Sequence, residues 1–240
     1  KMIALIVAFA GLLPLTPSSG RAADSAAEIL AATGLNGGLI VHLGCGDGKL
    51  TAALLANESF LVHGLDADKE NVAEARQHFL ELGLYGQVSI DRFDGRRLPY
   101  VDNLVNLLVA DELGDVTMDE VMRVLAPLGV AWIGGEKTVK PRPADIDDWT
   151  HALYDAGGNA VSKDRVVGPP RRLQWTAGPK WTRHHESMSS FQAMVSAGGR
   201  VFYLIDEAPQ ASLFLPSDWQ LIARDAFNGK LLWKKKFKSW

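Results

Sequence analysis

The 240-residue chain is 47% hydrophobic and 22% charged, the balance of an ordinary soluble globular protein, and it is long enough for one large domain or two small ones. Its net charge of -3 does not offer the basic surface expected of a nucleic-acid partner. The single cysteine, Cys45, excludes a disulfide within the chain, and lying in a glycine-rich loop it reads as a space-filler, since no base stands near it in sequence.

Ile3 to Leu15 is almost entirely apolar, follows the lone charge of Lys1, is broken by Pro14 and Pro17, and precedes the small residues of Gly20-Arg21-Ala22-Ala23-Asp24. That is the layout of a secretory signal peptide over residues 1–23, or of an uncleaved N-terminal anchor, and it implies an exported, periplasmic or cell-envelope protein. The run is short for a membrane-spanning helix. Lys1 ahead of Met2, and a close just after a repeat-like unit, give the expectation of a fragment of a longer protein.

From 24 to 136, short apolar runs alternate with helical periodicity. A helix capped by Asp24 or Ser25 runs through Ala32. Leu39–Leu43 is a strand interrupted only by His42, followed by a helix over Lys49–Ala56 and a strand over Phe60–Leu65. Lys69–Leu82 is an amphipathic helix with Val72, Ala75, Phe79 and Leu82 on one face. Strands follow at Gln87–Asp91 and Leu104–Ala110. Thr117-Met118-Asp119-Glu120 forms a capping box for a helix through Leu125, and Pro127-Leu128-Gly129 turns into a strand over Val130–Ile133. This βαβα order with buried strands predicts an α/β domain: a mostly parallel sheet covered on both faces.

After Glu136 the periodicity fades. Pro141, Pro143, Pro169, Pro170 and Gly157-Gly158 mark a linker over 137–170. In 171–240, Met194–Ala197 and Arg200–Ile205 flank Gly198-Gly199, while Leu221–Arg224 and Lys230–Lys234 flank a turn with Asn228-Gly229; this half reads as antiparallel β. His184-His185-Glu186 are adjacent on what reads as a strand or loop, so they point opposite ways and make poor metal ligands; no metal site is expected. The lysines near the C-terminus read as a solvated edge that discourages strand pairing.

The turn after the first strand carries the ligand chemistry. Gly44 and Gly46 present no side chain to a bound molecule, Gly48 allows close packing where a helix starts, and the helix N-terminus is expected to direct unpaired N–H groups at the ligand. Asp66 follows at the spacing where a carboxylate grips a ribose diol. These features alone fit NAD, FAD or S-adenosylmethionine (SAM).

Four ordered stretches narrow that choice. Val41-His42-Leu43-Gly44-Cys45-Gly46-Asp47-Gly48, Gly64-Leu65-Asp66-Ala67-Asp68, Asp94 with Leu98-Pro99-Tyr100, and Arg123-Val124-Leu125-Ala126-Pro127-Leu128-Gly129 together resemble the motifs of class I SAM-dependent methyltransferases over about residues 25–135. The resemblance implies a Rossmann-like domain with SAM as cofactor. Gly44, Cys45 and Gly46 would face its methionine part, Asp66 with Ala67 its ribose, and Asp94 with Gly95 its adenine. It also implies departures. His42 stands where the family usually has a carboxylate near the methionine ammonium, Asn106 stands where an aspartate is common, and the sheet is expected to stop at about five strands. Asp111 or Glu112 is where a base could sit, although loop acidity explains both, and no catalytic residue is assigned.

Leu221 to Trp233, with Asp225, Gly229 and Trp233 in an Asp-x-x-x-Gly-x-x-x-Trp pattern, resembles one repeat of the PQQ-type β-propellers, with Trp175 as an equivalent docking residue. The resemblance does not imply bound PQQ. Two functions remain open. One is methyl transfer from SAM to an unknown small-molecule or protein acceptor. The other is an exported, non-catalytic binding or scaffold protein with a degenerate Rossmann domain and a protein partner on its propeller; SAM is made in the cytoplasm, which favours this second reading for an exported chain.

Overall fold

A computed structural model describes residues 18–166, 168–169, 173–178, 190–209 and 216–237. The apolar segment Ile3–Leu15 and the His184-His185-Glu186 cluster lie outside them. The first helix, α1 (Ser18–Thr33), starts before the expected Asp24 because the alanine-rich stretch continues the helix. It ends at Gly34, whose φ of +73° is the left-handed conformation that closes helices. The first sheet then forms from β1 (Gly38–Leu43), α2 (Lys49–Ala53), β2 (Phe60–Asp66), α3 (Lys69–Glu81), β3 (Val88–Arg92), β4 (Val105–Ala110), α4 (Met118–Val124), β5 (Leu125–Ile133) and β6 (Glu136–Val139). Its order is β3-β2-β1-β4-β5-β6. Neighbours from β3 to β5 run parallel, and β6 returns antiparallel against β5.

The sixth strand corrects the expected five. Ile133 pairs with Glu136 across Gly134 and Gly135, both at positive φ, which is the backbone of a two-residue hairpin turn. That Gly-Gly signal was legible in the sequence and outweighs the prolines, which begin only at Pro141. β5 also begins five residues early. Its register against β4 slips between Leu125 and Val130, and Leu128, at φ +68°, forms the slip together with Gly129. A bulge therefore stands where a plain turn was expected.

Both faces of the sheet are covered. Ala26 and Ile29 of α1, Ala52 of α2, and Val72, Ala75 and Phe79 of α3 pack on Ile40, Val62, Ile90, Leu107 and Val109. The other face buries Leu39, Val41, Leu65, Leu108 and Ala131 beneath Leu98, Val116, Val121 and Val124. Leu82, expected with the buried stripe, is instead exposed at the end of α3. The Thr117 cap holds on one side only: its hydroxyl accepts from the Glu120 N–H, but the Glu120 carboxylate accepts from Leu98 N–H and Arg123 rather than reaching back. Arg123 also donates to Leu98 O, Tyr100 O and Asp102, so α4 clamps the β3–β4 crossover.

Residues 140–166 hold no strand or helix. They are pinned by Asp147, which accepts from Tyr154 Oη and from Lys163 N–H. The second sheet is an antiparallel meander of β7 (Phe191–Ala197), β8 (Arg200–Asp206), β9 (Trp219–Asp225) and β10 (Leu231–Lys236). Asp225 builds the β9–β10 turn by accepting from the N–H groups of Phe227 and Asn228, and Gly229, at φ +73°, closes it. Trp175 lies over Gly229 with its indole N–H on Ala226 O, 2.9 Å away; a Cβ on Gly229 would stand 2.4 Å from its ring. Along the β10 edge, Lys234 and Lys236 are paired with Glu207 and Asp218, so the edge is less freely solvated than expected.

The meander docks at the amino ends of the parallel strands. Asn106 Oδ1 accepts from Leu39 N–H at 2.7 Å and from Asn228 Nδ2 at 2.6 Å, while its Nδ2 donates to Asp225 Oδ2 at 2.7 Å. Ser59 Oγ donates to Leu232 O. Asparagine at 106, read from sequence as a departure, is the residue that can both accept and donate at this junction.

Candidate functional site

The strand order reverses between β1 and β4, so the crevice of this open sheet lies at their carboxyl ends. Gly44, Gly46 and Gly48 enter it with φ of +71°, +53° and +78°. A Cβ placed on Gly44 or Gly46 would meet nothing within 4 Å, so open space lies over both. On Gly48 it would stand 2.6 Å from Ala75 Cβ and 2.8 Å from the Phe79 ring; this glycine lets the loop settle on α3, as expected.

The Asp66 carboxylate faces the loop. Its Oδ2 accepts from Gly46 N–H at 2.8 Å, and its Oδ1 accepts from Asp68 N–H at 2.9 Å and Asn71 Nδ2 at 3.1 Å. The residue is 6% exposed. With two acceptor positions on each oxygen, Oδ1 is filled and Oδ2 keeps one. Asp66 as it stands can therefore take one hydroxyl of a diol without displacing Asn71.

The expected fan of free loop N–H groups is corrected. Gly44 N–H and Cys45 N–H donate to Leu65 O, Gly46 N–H to Asp66, Gly48 N–H to Cys45 O and Lys49 N–H to Asp47. These amides turn back onto the protein's own oxygens, and α2 is only five residues long. With these amides spent, the bare glycine surface at Gly44 and Gly46 is what the loop presents to a ligand.

Cys45 points inward, buried against Gly64, and burial, with Asp66 next in effect, pushes its thiol up to about 12. It is a filler with an inert sulfur. His42 is also buried, with Nδ1 2.8 Å from Thr51 Oγ1. Burial pulls its pKa down to about 4 against the opposing pull of Asp111 and Asp66, so the imidazole is neutral near pH 7. Asp111 and Glu112 are exposed just beyond β4.

At the rim, Arg92 bridges the ends of two strands, donating from Nε to Ala67 O and from Nη2 to Asp94 at 2.8 Å. Ala67, Asp94 and Gly95 are all exposed. Asp94 thus shares Arg92 with Ala67 and is ion-paired to that side chain; the arginine two residues before Asp94 was the overlooked signal. A second group missed in sequence lies along β2, where Tyr100 Oη is 2.7 Å from His63 Nδ1 and His63 Nε2 is 3.3 Å from Asp91. Burial raises the Tyr100 pKa and lowers that of His63. Among the described residues no group of His, Cys, Asp and Glu could hold a metal ion.

Residues 40–129 match the family model of the methyltransferase domain. Methyltransferase GfsG of Streptomyces halstedii is 32% identical over 96 residues, covering 38% of this chain and 34% of that protein. The chain therefore spans about a third of the length of the curated relative it matches. Among solved structures, geranyl diphosphate C-methyltransferase from Streptomyces coelicolor A3(2) aligns with a TM-score of 0.42 at 19% identity, over 46% of this chain and 44% of that one. A SAM-dependent methyltransferase from Aquifex aeolicus aligns at 0.40 and 20%, over 49% and 72%. Bare glycines, an inward-facing carboxylate and the match to the methyltransferase-domain model coincide on one stretch, residues 40–129.

Proposed function

We propose that the crevice binds SAM and that the domain transfers its methyl group to an acceptor still to be identified, a small molecule or a protein. The observation that carries this reading is the Asp66 carboxylate held against the glycine turn with one acceptor position left, beside open space over Gly44 and Gly46. Gly44, Cys45 and Gly46 would lie along the methionine part, Asp66 with Ala67 at the ribose, and Asp94 with Gly95 at the adenine edge. Bound SAM supplies an activated methyl on a sulfonium; the chain's part is to orient it and keep the crevice dry. Neutral His42 brings no charge to the ligand's ammonium, leaving Asp111 to supply negative potential there.

Calorimetric titration of the whole chain tests this. We expect saturable SAM binding that weakens at least tenfold in Asp66→Ala, with the fold checked by thermal melting. No heat at millimolar SAM removes the reading, and tight binding without turnover over an acceptor panel reduces the domain to a sensor.

We further infer that residues 171–240 form the first blade of a PQQ-type propeller serving as a protein-binding surface, with 137–170 as the joint, and that residues 1–23 direct export to the periplasm or cell envelope. The four-stranded meander and the Asp225–Gly229 turn under Trp175 support the blade. Downstream sequence without further Asp-x-x-x-Gly-x-x-x-Trp units removes it, and a fusion of residues 1–23 to a periplasm-dependent reporter that stays silent removes export. The non-catalytic scaffold remains the second reading, favoured by neutral His42 and by an Asn106 committed to the blade.

A further inference from the structure

A cavity of about 440 Å³ lies at the other end of the parallel strands, where the meander docks. β1 is six residues long, which sets this cavity about 20 Å from the glycine turn. Leu39, Leu61 and Leu104 of the first sheet wall one side, and Arg224, Asn228, Gly229, Lys230 and Leu231 close the other. The volume lies within the range of small-molecule sites, which pair apolar walls with a few polar groups. Both cations at the mouth lack a carboxylate within 4 Å among the described residues. Arg224 donates to three neutral oxygens, Tyr203 Oη, Gly229 O and Gly178 O. Lys230 is half-buried and its ammonium faces Glu58, which steadies it from beyond ion-pair distance, and Arg224, which opposes it. Placing an ammonium between leucines and a second cation with no anion in contact is electrostatically costly, and a ligand anion relieves it.

We propose that this cleft binds a small amphipathic monoanion, a carboxylate at Lys230 with a compact apolar body against Leu39, Leu61 and Leu104. This site is independent of the SAM reading, since the two lie at opposite ends of β1. Titrating octanoate and octan-1-ol into the whole chain at low ionic strength separates charge from apolarity. We expect one octanoate per chain, octanol at least tenfold weaker, a tenfold or greater loss in Lys230→Gln, and loss of binding in Leu61→Trp, which fills the cavity; SAM titration stays unchanged in both variants. Equal affinity for octanoate and octanol, octanoate binding unaltered in folded Lys230→Gln and Leu61→Trp, multiple weak sites, or no octanoate binding at all each overturns the proposal.

Discussion

Asn106→Asp probes the junction of the two sheets most directly. The substituted side chain can still accept from Leu39 N–H and Asn228 Nδ2, but its second oxygen would replace the Nδ2 that now donates to Asp225 Oδ2 over 2.7 Å. A hydrogen bond to a charged group is lost, about 1.5–3 kcal/mol. Two carboxylates then face each other; at about 4 Å and an effective dielectric of 20 that repulsion is about 4 kcal/mol. Protonating one of them caps the cost, because holding a carboxyl of ordinary pKa neutral at pH 7 costs about 4 kcal/mol. We expect a loss of about 2–4 kcal/mol at pH 7 in urea unfolding. The folded pair has a raised pKa, so the unfolded chain binds fewer protons, and the penalty shrinks as pH falls towards 4. Asp225→Asn in the same chain inverts the polarity of the bond while keeping an acceptor for Phe227 N–H and Asn228 N–H, and should recover most of the loss. A single variant within 0.5 kcal/mol of the parent at pH 7, or a double variant no better than the single, refutes the assigned roles.

His42 offers a second test: with its pKa depressed from 6.5 to about 4, the unfolded chain binds the extra proton between those values, so stability is full above pH 6.5 and falls by on the order of 3 kcal/mol by pH 4. His42→Gln should flatten that window relative to the parent in pH-dependent melts, and an identical pH profile would show that the ring is not buried neutral. In the β5 bulge, Gly129→Ala would drive a Cβ to 2.8 Å from Ala126 O and 2.9 Å from Val105 O, for a loss of about 3 kcal/mol. Leu128→Gly, by contrast, relieves a left-handed residue worth roughly 1–2 kcal/mol against the entropy of an added glycine, so unfolding should show it neutral or more stable by up to about 1 kcal/mol. Equal effects from the two substitutions would dismiss the bulge.

Burial was legible wherever it is written as a run. β1 is buried along its whole length and reads as apolar but for His42; Val72, Ala75 and Phe79 share a face at helical spacing and bury it. The glycine turn and Asp66 were equally legible, because backbone freedom and the twenty-residue spacing between neighbouring strand ends are local properties of the chain. Leu82 was misplaced because α3 ends at Glu81, one residue before the periodicity does.

The amino-acid order by itself determined which segments form buried strands, where the chain turns on glycine, and which carboxylate stands beside that turn, since each follows from side-chain pattern within a few residues. Only the tertiary structure decided who satisfies whom. The loop amides are spent on Leu65 O and Asp66, one oxygen of Asp94 is taken by Arg92, and Asn106 meets Asp225 and Asn228 more than a hundred residues along the chain. The physical reason is that buried polar groups take whichever complementary partner packing brings within about 3 Å, and that partner has no fixed distance in sequence.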